Sequence, residues 1–379
     1  MNQTRIIKKI SVLGCGLVGS AIAVDLCRDY NVTVSDYDFE KLNEVQAKNP
    51  LRIIQSDFLN QSELKRIVAD ADLVISAVPG SIGFSVLKSL IDLNKNVVDI
   101  SFFAENPFEL DEQAKRKNLT VVVDCGVCPG LSNIILGYYN KRSKINSYSV
   151  YVGGLPKNPE PPFNYKAPFS PSDVIEEYTR PARFVENGKV IIKEALTDVE
   201  LIDFLNVGQL EAFNTDGLRT LLITMQIPNM KEKTLRYPGH SQLIKAFRDA
   251  GFFDRDEIFI NDKLIKPIDF TSKLLYKQWK LEKGEKEFTV MRILIESENE
   301  FITYELYDEY DEQTQTTSMA RTTGYTCTAA ARLILENNYS RTGIIPPEFL
   351  GEKEDDLNFV LDYLKEKNIL LQKTESKLK

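Results

Sequence analysis

The stretch Val12–Ser20 sets Gly14, Gly16 and Gly19 in a G-x-G-x-x-G loop between an apolar run, Ile10–Leu13, and a helical one, Ala21–Leu26. That spacing suits the pyrophosphate of a dinucleotide. The first glycine permits a tight turn out of the strand, the second lets backbone approach the phosphates, and the third lets helix pack on strand. The anion then rests on the helix N-terminus, beside Leu17 and Val18. Asp36 lies 22 positions after Gly14, at the tip of the second strand Val32–Ser35, where a carboxylate accepts hydrogen bonds from the adenosine ribose. Tyr37 and Asp38 follow it and no Arg or Lys adjoins, so a 2′-phosphate meets only negative charge; the expected cofactor is NAD rather than NADP.

The elements that hold this loop alternate in the rhythm of a parallel sheet. Leu51–Ile54 is apolar, Ser62–Ala69 helical, and Asp72–Val78 a buried strand; Asn96–Ile100 and Leu119–Val123 supply two more. Ligands bind such sheets at the carboxyl ends of the strands. Asp57, Val78, Pro79, Gly80, Asp99 and Ser101 stand at those ends and are expected to line the cofactor cleft; Asp57 either touches adenine or only caps a helix. Asp124 ends the sixth strand beside the expected nicotinamide, and Gly126, Pro129 and Gly130 follow it. Asp124, or a water it orients, accepts a proton there, or else Asp124 only caps the helix Gly130–Tyr138.

Composition narrows the class of partner. At 379 residues the chain is long enough for two domains, and 43% hydrophobic with 27% charged residues is ordinary for a soluble globular protein. A net charge of -8 argues against nucleic acid and for a small-molecule ligand. Met1–Lys9 leads straight into the first strand with no apolar run for a signal peptide or a membrane span, so a cytoplasmic location is expected. Five scattered cysteines form no disulfide framework. Cys125 and Cys128 make a lone C-x-x-C; with one histidine in the chain a metal lacks ligands, so none is expected.

Beyond Pro129 the pattern becomes alternating and turn-rich. Asn187-Gly188 between Arg183–Val185 and Val190–Ile192 is a hairpin signal, and Ser147–Val152, Leu201–Leu205, Gln209–Phe213, Phe288–Ile295 and Phe301–Tyr307 read as further strands. Leu155–Pro171 holds six prolines and three aromatics and reads as an extended loop that buries something. From Ser318 the chain turns helical and is expected to return to the first domain; Asp355–Glu366 is a last amphipathic helix, and Gln372–Lys379 a polar tail expected to be disordered. The fold class is therefore α/β: a Rossmann-type doubly wound parallel sheet of six strands with an inserted α+β domain built on a mostly antiparallel sheet. The expected divisions are residues 1–129 for dinucleotide binding, 130–317 for the second domain, and 318–379 for C-terminal helices.

Six short motifs carry a resemblance: Asp124–Asn133, Tyr151–Pro156, Glu176–Arg183, Thr215–Arg219, Leu235–His240 and Gly343–Glu348. Together with the glycine loop they resemble the saccharopine dehydrogenase family nearly end to end, and within it most of all the lysine 6-dehydrogenases. The resemblance implies an inserted domain for substrate binding and dimerisation over residues 130–317, a homodimer or larger assembly, and NAD-dependent oxidative deamination of the side-chain amine of lysine, giving a semialdehyde that cyclises to piperideine-6-carboxylate.

That chemistry sets requirements. Hydride leaves a carbon bearing nitrogen only when the amine is neutral, so a base must remove a proton from an ammonium whose pKa is about 10.4 in water. The α-carboxylate calls for an arginine and the α-ammonium for a carboxylate. His240, inside the Arg236–His240 motif, is either a substrate contact or proton relay, or a surface or capping residue. Asp216 and Arg219 stand three apart at the start of an expected helix, Asp216–Met225, beside Thr215, so both face one cleft or pair with each other. Arg180 and Arg183 repeat that spacing, with Glu176 or Glu177 as alternative structural partners. Tyr165 and Lys166, in the proline-rich loop, are candidates for a lid. Two other readings stay open: a saccharopine-type or carboxynorspermidine-type reductase joining an amine to an aldehyde or oxo acid, and a non-catalytic NAD(H)-binding regulator.

Overall fold

The computed structural model describes residues 7–169, 171–336 and 339–378. The chain divides into two units: Met1–Lys141 with Ala320–Asn368, and Arg142–Met319 with Ile369–Lys379.

The first unit is a parallel sheet. Its strands are β1 (Lys9–Leu13), β2 (Asn31–Asp36), β3 (Arg52–Gln55), β4 (Leu73–Ser76), β5 (Val97–Asp99) and β6 (Thr120–Val122). Between them run helices α1 (Leu17–Leu26), α2 (Phe39–Gln46), α3 (Gln61–Val68), α4 (Gly80–Asp92) and α5 (Asp111–Arg116), and α6 (Leu131–Arg142) follows β6. The order β3-β2-β1-β4-β5-β6 reverses direction between β1 and β4, which places the ligand-binding crevice at their carboxyl ends. A seventh strand, Gly343–Ile345, extends the sheet beyond β6, with Ile344 in register with Val121. The sequence reading missed it because three residues are too few for a periodic signal.

Both faces of this sheet are covered. Leu13, Val74, Val97, Val121 and Ile344 pack with Leu64, Ile67, Val86, Leu90 and Ala114 of α3, α4 and α5. The alternate residues Ile10, Val12, Val34, Ile75, Val98 and Val122 are equally buried, as a parallel sheet sandwiched by helices requires. Gly137 of α6 lies so close to Glu348 that a Cβ there would be 1.9 Å from its carbonyl oxygen. This packing sets Gly130–Lys141, read from sequence as the start of the second domain, in the first unit.

The second unit is built on nine strands: β7 (Ile145–Pro156), β8 (Ala182–Glu186), β9 (Lys189–Lys193), β10 (Glu200–Phe204), β11 (Gly208–Asn214), β12 (Asn229–Arg236), β15 (Glu287–Ser297), β16 (Glu300–Glu309) and β18 (Leu371–Lys377). A separate hairpin pairs β13 (Ile258–Ile260) with β14 (Lys263–Ile265), and Gly343–Ile345 is β17. The main order is β10-β11-β12-β7-β15-β16-β18, antiparallel except where β12 runs beside β7. Asn187 and Gly188 turn the β8–β9 hairpin with φ of 50° and 76°, the left-handed pair such a two-residue turn needs. Helices α7 (Pro171–Thr179), α8 (Leu221–Thr224), α9 (His240–Asp249) and α10 (Pro267–Trp279) complete this part, and α11 (Ser318–Glu336), α12 (Pro347–Leu350) and α13 (Glu354–Glu366) follow in the chain.

Two expectations are corrected here. The polar tail is strand β18, whose backbone pairs with β16 from Glu300–Lys377 to Leu306–Leu371. Its exposed side chains hid a strand held by main-chain bonds at a sheet edge. The expected helix Asp216–Met225 shrinks to α8, so Asp216 and Arg219 share no helical face.

Candidate functional site

The first unit presents an open helix N-terminus at the carboxyl end of β1. Gly14 has φ 100°, and a Cβ on it would lie 2.3 Å from the Ala77 carbonyl oxygen; one on Gly19 would lie 2.2 Å from that of Gly14. Gly16 differs: a Cβ there meets nothing within 4 Å. The two outer glycines are demanded by packing, and the middle one faces space. Neighbouring helices show how the chain treats an N-terminus it closes. Asp38 caps α2 by accepting from Glu40 N and Lys41 N, and Asn60 caps α3 by accepting from Ser62 N and Glu63 N. At α1 the N-cap is Gly16, with no side-chain cap and no acid in the first turn. The free amides of the first turn are thus left for an anion.

Asp36 stands at this loop. Its Oδ2 accepts from Cys15 N at 2.6 Å and its Oδ1 from Asp38 N at 2.9 Å. The same carboxylate, with Asp38, helps burial push the Cys15 thiol up to about 12, so the thiol stays neutral in the loop. Sequence adjacency overlooked one cation: Lys41, from the next helical turn, sits 3.5 Å from Asp38. Leu17 is exposed and Val18 partly so, and the Gly80 backbone packs against Phe102, where a Cβ would be 2.4 Å from its carbonyl oxygen. Pro79 is the N-cap of α4. Asp57 is exposed and turns the chain ahead of α3, its Oδ1 accepting from Leu59 N at 2.9 Å.

Two carboxyl groups end adjacent strands. Asp99 is buried, accepting from Ser101 N at 2.9 Å and Ser101 Oγ at 3.0 Å. Burial, with Asp124 adding to it, pushes its carboxyl up to about 7. Asp124 follows β6 with a left-handed backbone, φ 52°, and is 3% exposed. At the start of α6, Asn133 Oδ1 accepts from Gly130 N and Ser132 Oγ, while Glu348 Oε2 holds the Asn133 amide at 3.1 Å.

The second unit gathers the predicted cations differently from the sequence reading. Asp216 is gripped by Arg183 through Nε and Nη2, both at 2.8 Å. Arg180 pairs with Glu176 at 3.8 Å, and burial together with the charge of Arg219 lowers its pKa. Arg219 is 7% exposed with φ 45°. Thr215 donates to Glu232 at 2.7 Å.

Arg236, His240 and Tyr165 lie inside the core. Arg236 Nη2 donates to Glu177 at 2.9 Å, its Nε to Tyr178 Oη at 3.1 Å, and its guanidinium lies 4.3 Å from the Tyr165 ring centroid. His240 Nε2 meets Tyr178 Oη at 3.0 Å and Nδ1 meets the Phe163 carbonyl at 2.9 Å, an acceptor that fixes the proton on Nδ1. Burial and the nearby Arg236 push the imidazole down to about 3. The ring, with both nitrogens engaged, packs among Tyr165, Tyr178 and Trp279 as part of the core. Tyr165 is 3% exposed and cannot serve as a lid; Lys166 faces Glu285 at 3.9 Å. Tyr178 and Glu232 escaped the sequence reading, and Glu177, read there as a partner for Arg180 or Arg183, instead pairs with Arg236. Glu232 sits in the run Lys231–Lys233, which has the charge pattern of a solvated strand although its carboxylate is buried.

Among the described residues no group of three or more His, Cys, Asp or Glu side chains is arranged to hold a metal ion, and no helix is long and apolar enough to cross a membrane.

Residues 10–122 match the family model of the saccharopine dehydrogenase NADP binding domain, and residues 126–369 that of the saccharopine dehydrogenase C-terminal domain. The mitochondrial alpha-aminoadipic semialdehyde synthase of Mus musculus is 28% identical over 268 residues, 66% of this chain and 29% of that protein. The saccharopine dehydrogenase (NADP(+), L-glutamate-forming) of Saccharomyces cerevisiae is 27% identical over 282 residues, 70% of this chain and 63% of that one. The match thus spans less than a third of the mouse relative and under two thirds of the yeast one. The solved apo saccharopine dehydrogenase (L-Glu forming) of Saccharomyces cerevisiae shares the fold, with a TM-score of 0.77 over 97% of this chain and 100% of that chain at 21% identity.

Proposed function

The chain belongs to the saccharopine dehydrogenase family, and on that footing we propose that it is an NAD-dependent dehydrogenase that oxidatively deaminates the side-chain amine of lysine. The observation that carries the substrate side is the balance of charge around Asp216. Arg183 is matched by Asp216 and Arg180 by Glu176, so guanidinium and carboxylate are offered together, with the Arg236–Glu177 pair in the core behind them. Such a pairing suits the zwitterionic head of one amino acid, whose carboxylate takes an arginine and whose ammonium takes a carboxylate. In this reading Arg219, Arg180, Asp216 and Thr215 meet that head, and Arg236 and Tyr165 support them from the core.

The cofactor side rests on Gly14, Gly16 and Gly19 at the open end of α1, with Asp36 for the ribose. Two carboxylates, Asp36 and Asp38, against one paired lysine, Lys41, favour NAD over NADP. Bound there, NAD supplies the hydride acceptor. Asp124 takes the amine proton on its carboxylate, leaving the neutral amine that hydride loss requires. Water then adds to the imine carbon, and the C–N bond breaks to give aldehyde and ammonia. Asp99, its carboxyl pushed up to about 7 by burial, carries only part of a negative charge beside Asp124 near neutral pH. An odd, scattered set of five cysteines suits a reducing, cytoplasmic compartment, and the assembly is proposed to be a homodimer or larger.

A second reading is favoured by the names of the relatives: a saccharopine-type reaction joining or splitting an amine and an oxo acid. NADH formation from lysine and NAD with no oxo acid present supports the first reading; turnover that requires saccharopine supports the second.

A further inference from the structure

Glu232 lies on β12 beneath the turn Thr215–Arg219, and it is 3% exposed. Thr215 Oγ1 donates to Glu232 Oε2 at 2.7 Å and lies 2.9 Å from Thr234 Oγ1. The Gly217 N–H donates to the same carboxyl. Gly217 is pressed onto it so closely that a Cβ there would be 2.4 Å from Oε2. The turn is therefore seated on this side chain by one hydroxyl, one amide and direct contact. From it project Asp216, held by Arg183, and Arg219, whose φ of 45° places it in the left-handed region.

We propose that Glu232 is a positioning residue: its carboxyl forms the floor of the Thr215–Arg219 turn and sets Asp216 and Arg219 for the amino-acid head of the substrate. This rests on the assignment of those two residues to substrate binding. The charged groups facing the carboxyl are Glu177 of α7 and Asp216 of the turn, themselves bound by Arg236 of β12 and Arg183 of β8. Burial, with these two carboxylates adding to it, pushes Glu232 up to about 8. Above that pH the group ionises and repels Asp216 and Glu177, which displaces Asp216 even though Thr215 and Gly217 still donate to it.

The test uses the full chain as wild type, E232Q, E232A and D216N. It measures amide hydrogen exchange across residues 215–219, and kcat and KM for lysine at about pH 7 and about pH 9. NADH binding, followed by its fluorescence, confirms that each variant is folded. In E232A, exchange across the turn rises about tenfold and KM about tenfold, with kcat changing less than about twofold. E232Q, which keeps the shape and the neutral state, matches wild type near pH 7; KM rises for wild type above about pH 8 and stays flat for E232Q. Should E232A fail to fold, the pH profile of E232Q alone carries the test. Unchanged exchange in E232A, or an alkaline rise in KM that persists in E232Q, overturns the proposal. Faster exchange with unmoved KM in both E232A and D216N overturns instead the assignment of this turn to substrate.

Discussion

Arg183 holds Asp216 with three donors: its Nε and Nη2 at 2.8 Å and its own backbone N–H at 3.2 Å. The carboxylate is 3% exposed at the side chain and the guanidinium 42%, so the pair is anchored on the buried acid. Replacing Arg183 by Ala strips a buried carboxylate of its main partner. A loss of about 1–3 kcal/mol in stability is expected, with R183K recovering only part because a lysine lacks the fork. Chemical denaturation of the three proteins checks this, and an R183A as stable as wild type would show the pair to be dispensable.

Gly16 and Gly19 separate binding from packing. A valine at Gly16, whose φ of -74° suits any residue, fills open space at the helix N-terminus. G16V is expected to lose about tenfold or more in NADH affinity with its melting temperature little changed. G19A drives a Cβ into the Gly14 carbonyl oxygen and is expected to cost about 1–3 kcal/mol in stability. Fluorescence titration and thermal melts distinguish the two, and an equal loss of stability in both would contradict the division.

His240 gives the protein an acid-sensitive core. Because its folded pKa lies far below its unfolded one, the unfolded chain takes up a proton first as pH falls. Stability is therefore full above about pH 6.5 and is lost as pH drops towards about 3. H240Q is expected to flatten that slope while remaining less stable near neutrality, since Tyr178 and the Phe163 carbonyl lose their partner. Denaturation midpoints measured from pH 7 downward test the sign. A wild-type stability that rises on acidification would refute it.

Asp124 carries the proposed proton transfer. D124N is expected to reduce kcat at least about a hundredfold and to bind NADH within about twofold of wild type. Undiminished turnover removes Asp124 from the reaction.

The dinucleotide loop was legible because its glycines, its strand and its acid are local: every part of the pattern falls within residues 10–36. The strands of the second unit were equally visible wherever one face is buried, as in Phe288–Ile295 and Phe301–Tyr307. The site in that unit was legible only by residue type. Spacing suggested that Asp216 and Arg219 act as a helical pair, whereas the partner of Asp216 is Arg183, brought from a different strand. His240 looked reactive because it is the sole imidazole, but long-range burial among Tyr165, Tyr178 and Trp279 decides its state, and no local pattern encodes that. Strand β18 and the carboxyl of Glu232 were hidden for opposite reasons. One is polar yet paired through its backbone, and the other is charged in sequence yet buried in the fold.

The most direct measurement follows NADH absorbance with NAD at alkaline pH, offering lysine, ornithine, saccharopine and carboxynorspermidine one at a time. Lysine alone is predicted to yield NADH, with ammonia released in equal amount and no oxo acid required. NADH from saccharopine but none from lysine would contradict the account.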